Sequence, residues 1–202
     1  MSFNEKSFSF LADLGCFHEN TPVTLADGST RSLNSLSNGD EVLVYSSTSG
    51  EFQKSQILTV FHHRRSSVRF LDLYTTDQVE PLRLTPSHSI LTNKHAHPQS
   101  SFHYEFASNL VVGDWLISSK RHSIQITKIE EIHLFNQTIS TPLTFEGTII
   151  VNDLIASCYA TFPHQWMHWL STPIRYWYQI ESFARWNFLL VHLIDLTELS
   201  FL

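Results

Sequence analysis

The stretch Leu36-Ser37-Asn38-Gly39-Asp40-Glu41-Val42-Leu43 returns in outline further along the chain as Leu110-Val111-Val112-Gly113-Asp114-Trp115-Leu116. Both copies share a Leu-x-x-Gly-Asp pattern, and both lead directly into residues that predict a strand. Glycine tolerates a positive φ and aspartate bonds nearby backbone amides, so each Gly-Asp pair predicts a turn rather than a catalytic group. The repetition predicts two related β subdomains that each supply half of one core.

Outward from this repeat, the chain consists of short strand patterns separated by turn residues. Pro22-Val23-Thr24-Leu25 leads into Ala26-Asp27-Gly28-Ser29, which is typical of a β-hairpin. Further strands are predicted at 41–45, 56–61, 70–75, 81–84, 89–92, 115–118, 124–133 and 148–151, with a loop at 93–101. The fold class predicted from these patterns is all-β.

The composition suits one domain with a core of its own and excludes two classes of function. The chain has 202 residues, of which 42% are hydrophobic. Its formal net charge of -6, without a long basic run, disfavours nucleic acid as a partner. The twelve histidines are scattered and have no paired cysteines beside them. We therefore expect no metal and no cofactor.

The end of the chain differs in composition from the rest. Residues 161–202 contain four of the five tryptophans, and apolar residues recur at helical spacing from Ile174 onward. This pattern predicts one or two short amphipathic helices. No apolar run reaches the roughly 20 residues of a membrane-spanning helix. The aromatic density suits a sterol- or membrane-binding surface; alternatively, the helices pack on the β core or on another copy.

Three residues far apart in the sequence suit cleavage of the chain's own backbone. The thiol of Cys16 directly follows Gly15 and can attack its carbonyl, which turns the peptide bond into a thioester. The departing amine needs a proton, and His88 suits that transfer because an ordinary histidine titrates near neutral pH. Thr85, three residues before His88, can hydrogen-bond the scissile carbonyl or the amine.

Taken singly, these residues predict little, because a lone cysteine is most often a small buried hydrophobe. In their order along the chain, however, the motifs closely resemble the carboxy-terminal autoprocessing domain of hedgehog proteins, the Hint or Hog domain. The resemblance runs from about Gly15 to Ala160, with a looser continuation to about Arg175. The motifs are Gly15-Cys16-Phe17, residues 36–43, Leu84-Thr85-Pro86-Ser87-His88, residues 106–114, Pro142-Leu143-Thr144, residues 147–152 and Ser157-Cys158-Tyr159-Ala160.

The resemblance implies a Hint fold of two pseudo-twofold-related subdomains and a role for each matching residue. Cys16 matches the nucleophile, Thr85 and His88 the pair that promotes the N-to-S acyl shift, and Cys158 a second active-site cysteine. In hedgehog proteins a sterol then attacks the thioester, so the released segment here would end at Gly15. Inteins share the fold but end in the residues for splicing, which this chain lacks after Cys158. The implied outcome is cleavage without splicing.

One position departs from the hedgehog pattern. Hedgehog domains carry an aspartate that is proposed to activate the sterol hydroxyl, and the best register places His62 there, with Phe61 or His63 one residue away. A histidine can also accept a proton from an alcohol or from water. The alternative interpretation of 62–65 is an exposed polar turn after a strand.

The resemblance also divides the chain into three parts. Residues 1–15 form a stub that ends at the scissile glycine, 16–160 the Hint domain and 161–202 the aromatic tail. Met1–Leu14 lacks a secretory signal, although the family implies the secretory pathway or the extracellular space. The two cysteines could pair in an oxidising compartment but do not form a disulfide framework. The oligomeric state is open.

Three functions from different classes follow. The first is single-turnover self-cleavage at Gly15-Cys16, with a sterol, water or another small nucleophile resolving the thioester. The second is a non-catalytic lipid- or membrane-binding module on a Hint scaffold, and the third a cysteine hydrolase that acts on other molecules. The intact set of Cys16, Thr85 and His88 favours the first.

Overall fold

The computed structural model of the protein describes residues 16–93 and 102–160, together with Thr172, Pro173 and Tyr176. The chain divides into two compact units, Met1–His168 and Trp169–Leu202. In the second unit, Thr172, Pro173 and Tyr176 are helical. The helices predicted from Ile174 onward lie outside the described residues except for Tyr176. Within the described part, no helix has the length and apolar character needed to cross a membrane.

The described part of the first unit is built from strands, and the all-β prediction is confirmed. Its strands are β1 (Phe17–His18), β2 (Pro22–Thr24), β3 (Thr30–Ser32), β4 (Glu41–Ser46), β5 (Glu51–Thr75), β6 (Leu82–Leu84), β7 (His88–Asn93), β8 (His103–Phe106), β9 (Trp115–Ile117), β10 (Ser123–Thr144), β11 (Thr148–Val151) and β12 (Leu154–Ala160). Two 3-10 helices, η1 (Leu33–Ser35) and η2 (Ala107–Asn109), precede β4 and β9. The predicted hairpin forms, with β2 antiparallel to β3.

The two Gly-Asp motifs adopt the same local structure. Gly39 and Gly113 have φ values of 91° and 100°. The amide of Gly39 donates to the Ile57 carbonyl at 2.8 Å, and that of Gly113 to the Ile126 carbonyl at 2.9 Å. Each turn thus follows a 3-10 helix and is hydrogen-bonded to a long strand, β5 in the first motif and β10 in the second. The prediction of two related β subdomains is confirmed at this level of detail.

The aspartates of the two motifs also do the same work. Asp40 accepts the Ser37 amide at 2.8 Å, and Asp114 accepts the Val111 amide at 2.9 Å. Each carboxylate closes its turn on the residue three positions earlier, as aspartate does in turns of this kind. Their role is structural, as the sequence predicts.

Two long strands, β5 and β10, join the subdomains. They pair antiparallel from Ile57 opposite Thr144 to Thr75 opposite Ile126. The separate strands predicted at 56–61 and 70–75 are one strand, and the polar turn considered for 62–65 is wrong. Residues 62–65 pair with β10 throughout. These residues are polar and only partly buried, yet they form no turn, because backbone pairing with β10 holds them in the strand.

Three further expectations differ from the structure. β1, β8 and β12 have no counterpart among the predicted strands, and β10 continues well beyond the predicted end at His133. Asn93 is the last residue of β7 rather than the first of a loop; the remainder of the loop predicted at 93–101 lies outside the described residues. Short buried strands such as β12 lack the apolar-polar alternation on which the prediction relies.

Both subdomains fill one core. Val42 and Leu73 from the first half and Leu116 and Ile126 from the second are buried in the same apolar cluster. A second, smaller cluster contains Cys16, Val68, Phe70 and Ile139. The candidate thiol therefore lies outside the main core but is packed on every side.

Gly147 lies against the ring of Tyr159, which belongs to the main core cluster, and shows how tightly that cluster is packed. It has φ +71°, and a Cβ there would come within 2.4 Å of the Tyr159 ring. Gly28 has φ +86° with nothing within 4 Å of a Cβ. We expect Gly28→Ala to lower the free energy of unfolding by about 1–2 kcal/mol from backbone strain alone. Gly147→Ala should cost about 1–3 kcal/mol more, because the ring must move.

Urea unfolding of the two variants beside the parent measures this difference. Equal losses of unfolding free energy for both substitutions would mean that the Tyr159 ring moves aside without an energetic penalty.

Candidate functional site

The backbone of Cys16 is fixed by Thr85. The amide nitrogen of Cys16 donates to Thr85 Oγ1 at 2.9 Å, and the amide of Thr85 donates to the Cys16 carbonyl at 2.9 Å. The next residue, Phe17, starts β1 and pairs with both Leu84 on β6 and Ser140 on β10. The nitrogen of the predicted scissile bond is therefore held between two strands.

The thiol of Cys16 is buried and faces β10. Its Sγ lies 3.1 Å from Thr141 Oγ1. Burial raises the pKa of the Cys16 thiol, while the hydrogen bond to Thr141 and the charge of Arg65 act in the opposite direction. The net direction is upward, so the group is a neutral thiol at neutral pH.

His88 lies beside Thr85 and Phe17. It is fully buried, and its amide donates to the Thr85 carbonyl at 3.0 Å. Its ring centroid is 3.9 Å from that of Phe17. Nε2 is 2.7 Å from the Ser157 carbonyl oxygen. Because a carbonyl only accepts, this contact assigns a proton to Nε2.

A β-bulge brings the Ser157 carbonyl to His88. Between the pairs Ala156–Ile90 and Ala160–His88, β12 advances four residues while β7 advances two. Extra residues on one strand bend it and redirect its groups. The bulge thus turns a main-chain oxygen toward the imidazole and orients the ring.

Cys158 sits in the same bulge but in different surroundings. It belongs to the main core cluster, whereas Cys16 belongs to the smaller one. Its amide donates to the Gly147 carbonyl at 2.8 Å, and its Sγ is 3.6 Å from Thr144 Oγ1. Burial raises the pKa of Cys158 to about 11. Both cysteines are thiols in this structure.

His62 lies opposite Ser140, which directly precedes Thr141, but its side chain is on the other face of the sheet from the Cys16 thiol. Its Nδ1 is 2.8 Å from Ser140 Oγ, whereas the Cys16 thiol contacts Thr141, the next residue on β10. Successive strand residues point to opposite faces. The imidazole of His62 and the thiol of Cys16 therefore lie on opposite sides of β10. His63, which pairs with Ile139, has the register of the thiol's face.

The structure thus brings Cys16, Thr85 and His88 together and leaves His62 on the other side of the strand. Sequence reasoning missed Thr141 and Ser157 as partners of the site. Thr141 directly precedes the Pro142-Leu143-Thr144 motif, which is a signal that could have found it. Ser157 belongs to the Ser157-Cys158-Tyr159-Ala160 motif, but it contacts His88 through its carbonyl, so its side chain does not indicate that contact.

Comparisons with known proteins identify the family of this chain. A model of the Hint module matches residues 4–189. The Tiggy-winkle hedgehog protein of Danio rerio is 30% identical over 80% of this chain and 39% of its own length. The Indian hedgehog B protein of the same species is 31% identical over 81% of this chain and 42% of its own. The chain therefore spans about two fifths of the length of these relatives.

Solved structures show the same fold at low identity. A bacterial intein-like domain from Clostridium thermocellum superposes with a TM-score of 0.59 at 16% identity, covering 70% of this chain and 97% of that one. A KlbA intein precursor from Methanococcus jannaschii gives 0.61 at 16% identity, covering 74% and 94%. These structures show the fold, and the Hint module match together with the hedgehog relatives supports a domain of the self-processing class. The chain belongs to the Hint module family, and its resemblance to the hedgehog autoprocessing domain is confirmed.

The contact between Cys16 and Thr141 leads to a testable prediction about the pKa of the Cys16 thiol. Thr141→Val removes a hydrogen bond that lowers the pKa of Cys16, so the pKa should rise further. Thr141→Ser keeps the hydroxyl and should leave it near the parent value.

The measurement is the pH dependence of Cys16 alkylation, followed by mass spectrometry of the peptides. The half-maximal pH for Cys16 should move upward in Thr141→Val, while that for Cys158 should stay in place. A shared shift of both cysteines would instead indicate a general loosening of the fold.

Proposed function

We propose that this chain cuts its own backbone at Gly15-Cys16, once per molecule, through a thioester on Cys16. The observation that carries the proposal is the 2.9 Å hydrogen bond between the Cys16 amide nitrogen and Thr85 Oγ1. In the proposed reaction that nitrogen is the leaving group. A hydroxyl already in contact with it can deliver a proton as the nitrogen becomes basic.

The first step moves the acyl group of Gly15 from nitrogen to sulfur. The thiol loses its proton, sulfur attacks the carbonyl carbon, and the C–N bond breaks as the Cys16 amine is protonated. His88 contacts the Thr85 backbone, which supports its role in the proton transfers. Correct placement of the reacting groups can lower such a barrier by roughly 7–11 kcal/mol.

The second step releases the upstream segment when a small nucleophile attacks the thioester. Sterol, water and other small nucleophiles are all candidates, and splicing is not expected. We assign Cys158 as the second active-site cysteine. It is a buried thiol with a pKa of about 11, which suits a group that stays neutral. No resident metal or cofactor takes part in either step. The secretory pathway or extracellular space is the proposed location, and membrane contact through 161–202 belongs to the same proposal.

The first step can be tested on the full chain with dithiothreitol, which resolves a thioester without any further protein group. The parent should release a peptide that ends at Gly15, detected by intact mass. Cys16→Ala should release none, since no thioester forms. His88→Ala should also stay uncut under strong thiol.

Cys158→Ala is the matched control for removing a buried thiol and should still cleave with dithiothreitol. Cleavage that persists unchanged in both Cys16→Ala and His88→Ala would refute the assignment. An uncut parent under every condition would favour the non-catalytic binding module instead.

The base of the second step remains to be assigned between two neighbours. His62 is the choice from sequence register, but His63 has the register of the thiol's face. If His62 is the base, His62→Ala should leave dithiothreitol release intact and slow release by water or an alcohol by about a hundredfold or more, the usual contribution of a general base. His63→Ala is the matched comparison, and a larger effect there would transfer the role to His63.

A further inference from the structure

A cavity of about 640 Å³ opens beside Thr85 and Ile139. Thr85 holds the Cys16 amide nitrogen, and Ile139 packs in the same small cluster as the Cys16 side chain. Thr85 and Ile139 thus contact Cys16 and also line the cavity, whereas Cys16 itself is fully buried. The cavity therefore lies one residue away from the Cys16 nitrogen and side chain.

The wall of this cavity is cationic and rich in hydroxyls. Arg65 and Arg69 line it, and so do Ser66, Ser67, Ser87 and Ser108. Among the described lining residues there is no aspartate or glutamate, although the whole chain carries 19 acidic residues against 13 basic ones. Val68, Pro86, Phe106 and Ile139 also line the cavity, so it can accept an apolar part of a molecule as well. The two arginines, with no acidic residue beside them in the described lining, favour a ligand that carries an anionic group.

The two arginines differ in their relation to the thiol. The charge of Arg65 already acts on Cys16 and lowers its pKa. Arg69 lies further along β5 and approaches Glu131 at 3.7 Å, with both side chains about half exposed to solvent. Exposed ion pairs of this kind are weak, so an incoming anion can displace Glu131. Arg69 is therefore the position at which anion binding can be changed without altering the thiol.

We propose that the cavity binds the acceptor of the second step and that this acceptor is a small alcohol or amine carrying a carboxylate or phosphate. The inference rests on the proposed self-cleavage and specifies its second substrate. The acceptor's hydroxyl or amine attacks the thioester carbonyl, the C–S bond breaks, and the acceptor's proton passes to the Cys16 sulfur. Arg65 and Arg69 bind its anionic group.

The test uses the full chain and four acceptors in two matched pairs: glycerol 3-phosphate against glycerol, and glycolate against ethylene glycol. Cholesterol in detergent and dithiothreitol are run beside them. The released peptide is identified by its mass as an acceptor adduct or as the hydrolysed acid. We expect adducts with at least one anionic acceptor at concentrations where its neutral partner gives none, and the pair that responds identifies phosphate or carboxylate.

Arg69→Gln should raise the KM for the anionic acceptor about tenfold or more while dithiothreitol release stays at the parent rate. Arg64→Gln, which removes a neighbouring charge that does not line the cavity, should leave both unchanged. Equal use of anionic and neutral acceptors, a product made only by water or cholesterol, or an unchanged KM in Arg69→Gln would overturn this inference. Absence of release by dithiothreitol in the parent would overturn the self-cleavage on which it rests.

Discussion

The insertion of a two-residue strand between β6 and β10 is the constraint on which the rest of the site depends. Phe17 pairs with Leu84 on one side and Ser140 on the other. This places the Cys16 nitrogen against Thr85 and its sulfur against Thr141. The Phe17 side chain then packs against the ring of His88. One short pairing therefore sets the positions of the Cys16 thiol, the Cys16 nitrogen and the imidazole of His88.

Burial gives these groups their chemical character. Cys16, His88 and Cys158 are all buried, and burial raises the pKa of both thiols. A neutral buried thiol is inert toward most oxidants and alkylating agents, because the thiolate is the reactive form. Burial thus protects the Cys16 sulfur from outside chemistry. In the proposed self-cleavage, reactivity comes from position rather than from a thiolate formed in advance.

The sequence predicted those features that local residues determine. The Gly-Asp turns could be predicted because a positive φ and a carboxylate on nearby amides are set within four residues. The continuous β5 could not, because residues 62–65 are held mainly by pairing with β10 and carry no apolar alternation. The face of His62 depends on register, and a shift of one residue reverses the face of every side chain. Thr141 lies 125 residues from its partner Cys16, a separation that no local pattern spans.

The distances along the chain between the partners of Cys16 also set an order of events. Thr85 is 69 residues away and Thr141 is 125 residues away, and contacts between such distant segments form late because long loops must close first. During synthesis, Cys16 leaves the ribosome long before Thr141 exists. Until the second long strand has been made and paired with the first, the sulfur is an ordinary cysteine in an open chain. Chemistry at Cys16 that depends on these contacts can therefore begin only when folding is complete.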